Sequence, residues 1–163
     1  MASAFAEGEA FVGERASVQE LADHVARADL LHLACHAEFR SDNPMFSALH
    51  LADTALTVEA VERLPLKAAT VVLSGCETGL SDQVAGDELL GLVQAFMVAG
   101  AARVVATLWP IDDAVAADFM RHFYGALAAS RTPAAALREA QLETSRTHPH
   151  PYYWAPFVLH GGW

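Results

Sequence analysis

The sequence predicts an α/β domain built on a largely parallel sheet. Continuous apolar runs of strand length alternate along the chain with stripes of helical period, which is the pattern of strands joined by packed helices. Helix-start signals recur between the runs, at Ser17 with Glu20 and at Thr132 with Pro133. The 163 residues amount to one domain, and a chain near that size buries roughly 70% of its unfolded surface.

Taken in order, Ala10-Phe11-Val12 reads as a short strand. Ser17 and Glu20 have the spacing of a capping box, and Val18, Leu21, Ala22 and Val25 follow as one helical stripe. The run Leu30-Leu31-His32-Leu33-Ala34-Cys35-His36 is then a strand ending at His36, with a polar loop from Glu38 to Asn43 after it. Ala48-Leu49-His50-Leu51 and Ala55-Leu56-Thr57 flank Asp53-Thr54 as a small hairpin, and a helix from Val58 to Leu64 stops at Pro65. Thr70 to Ser74, apolar and β-branched, is a buried strand. A loop from Cys76 to Gly86 leads to a helix beginning at Asp87, with Leu89, Leu92, Val93, Phe96 and Met97 on one face and Gly100 at its C-terminal cap. Arg103 to Leu108 is the next strand. Pro110 and Asp112-Asp113 turn into a long helix whose Ala116, Phe119, Met120, Phe123, Tyr124 and Leu127 share a face. Thr132 caps a last helix to about Thr144, His148 and His150 fall in a proline-rich solvated turn, and Pro156 to Leu159 closes the sheet.

Composition narrows the function. Twenty acidic against ten basic side chains give a formal charge of -10 with no basic run, so the electrostatic footprint of a nucleic-acid binder is missing. The longest apolar stretches are strand-sized, which argues against a membrane span. Two cysteines are too few for a disulfide framework, and the first residues lack the basic end and apolar core of a signal peptide, so the expected compartment is the cytoplasm.

In an open α/β sheet the ligand crevice lies at the carboxyl ends of the strands. Three successive strand exits deliver His36, Cys76 and the segment Trp109 to Asp113 to that edge. A cysteine of pKa about 8.5 is a few per cent thiolate at neutral pH, and a neighbouring imidazole is its simplest activator. Cys76 would attack a carbonyl, His36 would manage the proton, and the backbone NH groups of Ala37 and Cys76 would face the oxyanion. Each residue has a plainer alternative. A cysteine at a strand end is commonly a small buried hydrophobe, and Asp87 and Glu88 suit the positive start of their helix. Cys35 points opposite to His36 on an extended chain and reads as core. His32 and His36, four apart on a strand, have no partners that complete a zinc pattern, so no metal and no cofactor is expected. Ser74-Gly75-Cys76-Glu77-Thr78-Gly79 follows a strand but lacks the lysine and glycine spacing of a phosphate loop.

His32-Leu33-Ala34-Cys35-His36, Val71-Val72-Leu73-Ser74-Gly75-Cys76-Glu77-Thr78-Gly79, Gly86-Asp87-Glu88-Leu89, Ala99-Gly100-Ala101 and Tyr152-Tyr153-Trp154-Ala155-Pro156-Phe157 together resemble the CHAT domain, a caspase-like, separase-related cysteine protease domain often joined to TPR repeats. The resemblance runs in order from about Phe11 to Gly161. It implies a caspase-like three-layer α/β/α sandwich and a His-Cys dyad whose roles fall on His36 and Cys76. Glu77, Asp87, Trp109 and Asp112 are the candidates for lining the substrate cleft, and an acidic lining suits a basic P1 side chain. The family usually has glycine directly after the histidine where this chain has Ala37, which implies a costlier backbone conformation at the oxyanion NH. The resemblance also implies a longer domain, so residues 1–163 are expected to be a single CHAT-like domain lacking the first strand and helix of the family. The implied partners are a protein or peptide substrate, a TPR or sensor protein or the chain's own N-terminal part, and a second copy where sheet edges are left open. The alternatives are a catalytically silent CHAT-like interaction module and a Rossmann-like binder of a small ligand.

Overall fold

The computed structural model describes residues 8–38, 40, 43–67, 69–74 and 86–162. In chain order these form α1 (Val18–Val25), β1 (Leu30–Leu33), β2 (His36–Glu38), β3 (Ala48–His50), β4 (Ala55–Thr57), α2 (Val58–Glu62), β5 (Thr70–Leu73), α3 (Gly86–Val98), β6 (Arg103–Thr107), α4 (Asp113–Ala128), α5 (Pro133–Thr147) and β7 (Phe157–Gly161).

The main sheet has the order β1-β5-β6-β7. Its first three strands run parallel, and β7 returns antiparallel to β6. Alternation along the strands assigns side chains to two faces. Val71, Leu73, Val104 and Ala106 join a core cluster with Leu21, Val61 and Phe96 from α1, α2 and α3. Val72 and Val105 join a second cluster with Phe119, Phe123 and Leu137 from α4 and α5. Helices therefore cover both faces, and every residue of β5 is buried, which is why that strand reads as one continuous apolar run. This is the expected three-layer α/β/α architecture with a mostly parallel sheet.

Local chemistry sets the helix ends. The Ser17 hydroxyl accepts from the Glu20 NH at 3.1 Å, that of Thr57 from Ala60 at 3.3 Å, and that of Thr132 from Ala135 at 3.3 Å. Such caps satisfy NH groups that have no partner within the helix. After α3 the Ala101 NH reaches the Phe96 carbonyl and the Gly100 NH that of Met97, the paired bonds of a Schellman end. Gly100 has φ +107, and a Cβ there would lie 2.4 Å from the Leu66 carbonyl oxygen.

Three expectations are corrected. Ala10 to Val12 is not a strand: Val12 is 78% exposed, and the chain turns through a 3-10 segment at Gly13–Arg15, where Gly13 takes φ +61. A three-residue run forms a strand only where a partner edge offers hydrogen bonds. Helix α2 stops at Glu62 rather than Leu64, because the residue before Pro65 is pushed out of the helical region. The polar loop after His36 is in part a strand. Residues of β2 pair antiparallel with β3, and β3 with β4, in a separate three-stranded sheet.

Candidate active site

The carboxyl ends of the parallel strands lie at one level. Leu33 of β1 is in register with Leu73 of β5, and Leu73 with Ala106 of β6. The ladder between β1 and β5 closes with the Ser74 NH donating to the Leu33 carbonyl at 3.2 Å. From that point one chain runs through Ala34 and Cys35 to His36, and the other enters 75–85. Cys76 and Glu77 belong to that stretch and lie outside the described residues.

His36 does not end β1. The parallel pairing stops at Leu33, the chain turns at Ala34-Cys35, and His36 opens β2 opposite His50. Its side chain is exposed on the same face of β2 as Glu38, while Ala37 between them is buried. Glu38 and His50 are joined across the strands, carboxylate oxygen to Nε2, at 3.1 Å.

The direction of the Ala37 NH follows from the ladder. The Leu51 NH donates to Thr54 and the Val58 NH to Ser47, which turns the odd-numbered residues of β3 toward β4 and leaves Ala48 and His50 to face β2. Their partners Glu38 and His36 face inward in return, so the NH of Ala37 points off the free edge of β2 by the alternation of an antiparallel pair. The expected strain at this position is absent. Among the described residues Ser130 is the non-glycine residue at positive φ, and the Ala37 methyl group fills the first core cluster.

A family model for the CHAT domain matches residues 1–162. The chain belongs to the CHAT-domain family. Curated relatives include human tetratricopeptide repeat protein 28, 35% identical over 113 residues that make up 68% of this chain and 4% of the relative. The mouse protein of the same name is 27% identical over 190 aligned residues, 92% of this chain and 8% of that protein. This CHAT domain thus spans a small part of the length of those relatives.

The remaining candidates of the CHAT domain stand at the start of α3, beyond the end of β6 and at the start of α4. Asp87 stands in the first turn of α3. Trp109 is half-buried beyond β6, its indole NH donating to the Tyr152 carbonyl at 2.9 Å and its ring stacked on Tyr152. The carboxylate of Asp112 is exposed and caps α4, accepting from Ala114 at 2.9 Å and Val115 at 3.3 Å. These bonds tie both residues to the fold. Cys35 is half-buried against the first core cluster, and burial pushes its thiol up to about 11, so it is overwhelmingly protonated at neutral pH. Among the described residues no group of three or more His, Cys, Asp or Glu is placed to hold a metal ion, and no helix is long and apolar enough to cross a membrane.

One pair escaped the sequence reading. His32 Nε2 lies 2.5 Å from Ser74 Oγ, and burial pulls the imidazole down to about 4. The signal was available: His32 stands four residues before His36 and Ser74 two before Cys76. Only strand pairing reveals that the two residues meet.

Proposed function

We propose that this CHAT domain is a caspase-like cysteine endopeptidase that cleaves a protein substrate through Cys76 and His36. The observation that carries the reading is the level exit of β1 and β5 beside an Ala37 NH that the β2–β3 register turns outward. A nucleophile two residues beyond Ser74, a base three residues beyond Leu33 and a spare NH donor are the parts that acyl transfer needs.

The Cys76 thiol gives its proton to the His36 imidazole, and the thiolate adds to the scissile carbonyl carbon. The oxyanion takes hydrogen bonds from the NH groups of Ala37 and Cys76, each worth on the order of 3 kcal/mol of barrier. Collapse expels the amine, which leaves with the proton held by His36, and a thioester remains. His36 then takes a proton from water as the hydroxyl adds, and the second collapse frees the acid and the thiol. Glu77 and Asp87 would supply the negative lining for a basic P1 side chain, with Trp109 and Asp112 at the cleft margin. The relatives are tetratricopeptide repeat proteins, which supports a TPR protein as partner.

A silent interaction module is the second reading, favoured by the engagement of Trp109 and Asp112 in the fold. Labelling with a peptidyl electrophile separates the two. The wild type should be modified at Cys76, Cys76→Ala should not react, and His36→Ala should react at least about 100-fold more slowly. Cys35, whose thiol burial holds protonated, is the internal control. Equal modification of both cysteines, or a Cys76 rate indifferent to His36, would refute the protease.

A further inference from the structure

The face of the main sheet under α4 and α5 is apolar at its centre, where Val72, Val105, Phe119 and Phe157 are fully buried. His32 stands on this face, because it is in register with Val72. Two residues beyond Val72 the pleat returns Ser74 to the same side. The His32 ring lies against Tyr124 of α4 with centroids 5.6 Å apart, and its Nε2 meets the Ser74 hydroxyl at 2.5 Å. A neutral imidazole carries one donor and one acceptor, and a hydroxyl matches either.

This bond crosses diagonally from β1 to β5 at the last rung, where the Ser74 NH already donates to Leu33. One backbone bond and one side-chain bond thus hold the two strand ends together from different directions. Beyond Leu33 the chain turns through Ala34 and Cys35 to His36, and Ser74 stands two residues before Cys76. A polar pair inside an apolar layer adds little net stability over well-packed hydrophobic side chains. What it adds is a fixed geometry.

We propose that His32 and Ser74 form a positioning clamp, tying β1 to β5 at their carboxyl ends and so setting the separation of His36 from Cys76. The proposal rests on the dyad reading above. Neither residue touches substrate; both act through the strand ends they join. Misplacement of reacting groups by about 1 Å can cost on the order of 100-fold in rate, so loosening one rung has leverage out of proportion to its effect on stability.

The test compares Ser74→Ala, His32→Phe, His32→Gln and the Ser74→Ala/His32→Phe pair in the full chain, reading the rate of Cys76 labelling by a peptidyl electrophile beside the melting temperature. Ser74→Ala and His32→Phe should each slow labelling by about tenfold or more, and the double variant should be no slower than the worse single. His32→Gln, whose amide reaches the hydroxyl as Nε2 does, should recover most of the rate, which a merely structural histidine would not predict. Wild-type rates in Ser74→Ala, with His36→Ala inert, would overturn the clamp and leave the dyad standing. If labelling is indifferent to His36, the dyad has failed, and peptide-resolved hydrogen exchange decides the clamp. Faster exchange of residues 34–38 in Ser74→Ala with β6 unchanged supports it, and unchanged exchange at 34–38 overturns it. Should His32→Phe not fold, Ser74→Ala, which removes one oxygen atom, carries the test.

Discussion

Two glycine-to-alanine substitutions in this chain should shift stability in opposite directions. Gly100 follows α3 with φ +107, a conformation that costs an L residue roughly 1–3 kcal/mol. The added methyl carbon would also fall 2.4 Å from the Leu66 backbone oxygen. That neighbour is main chain and cannot swing aside, so the segment entering β5 must shift, at a further cost of about 1–3 kcal/mol. Gly100→Ala should therefore lose roughly 3 kcal/mol, a large share of the 5–15 kcal/mol typical of a domain, and melt about 6–12 °C lower. Gly125 lies inside α4, and a methyl group there would meet nothing within 4 Å. Gly125→Ala removes a flexible residue from a helix interior and should gain about 0.5–1 kcal/mol. Urea unfolding followed by circular dichroism measures both, with equal slopes expected if the native and unfolded states keep their compactness. Shifts of the same sign, or a Gly100→Ala midpoint within error of wild type, would refute the account of the α3 terminus.

Other expectations follow from the side chains. The pKa of His32 is lowered from 6.5 to about 4 by burial, so its neutral form contributes stability that is complete above pH 6.5 and is lost as pH falls through about 4. The shift corresponds to about 3 kcal/mol at most, and His32→Gln should flatten that part of the urea midpoint against pH. A profile unchanged by the substitution would mean that His32 is not the group responsible. Asp112→Ala removes the acceptor for two NH groups at the start of α4 and should cost about 1 kcal/mol. In a working endopeptidase it should also weaken cleavage after a basic residue relative to an uncharged one, as a cleft carboxylate would; an unchanged preference confines Asp112 to its capping role.

Much of the fold was legible because its signals are local. Caps at Ser17 and Thr132, the glycine end of α3 and the fully apolar β5 each report a backbone requirement met within a few residues. The misreadings concern pairing. Ala10 to Val12 has strand character but forms no strand, and Leu30 to His36 looks like one strand but is two, split between different sheets. Composition cannot distinguish these outcomes, since a strand is defined by an edge contributed from elsewhere in the chain. The dyad candidates were legible through a family resemblance, and family membership follows from the match over residues 1–162. Cys76 and Glu77 lie outside the described residues, so their roles stay with the labelling experiment.

Taken alone, the sequence determined the α/β class, the helix boundaries to within a few residues and the family, because periodicity, capping chemistry and ordered motifs are written along the chain. Tertiary structure decided where the strands stop and what their ends hold. It moved His36 from the end of a parallel strand to the start of an antiparallel one, turned the Ala37 NH outward without strain, spent the polar atoms of Trp109 and Asp112 on the fold, and joined His32 to Ser74. Each of these depends on contacts between residues distant in sequence, and hydrogen-bond direction and burial exist only once those residues are brought together.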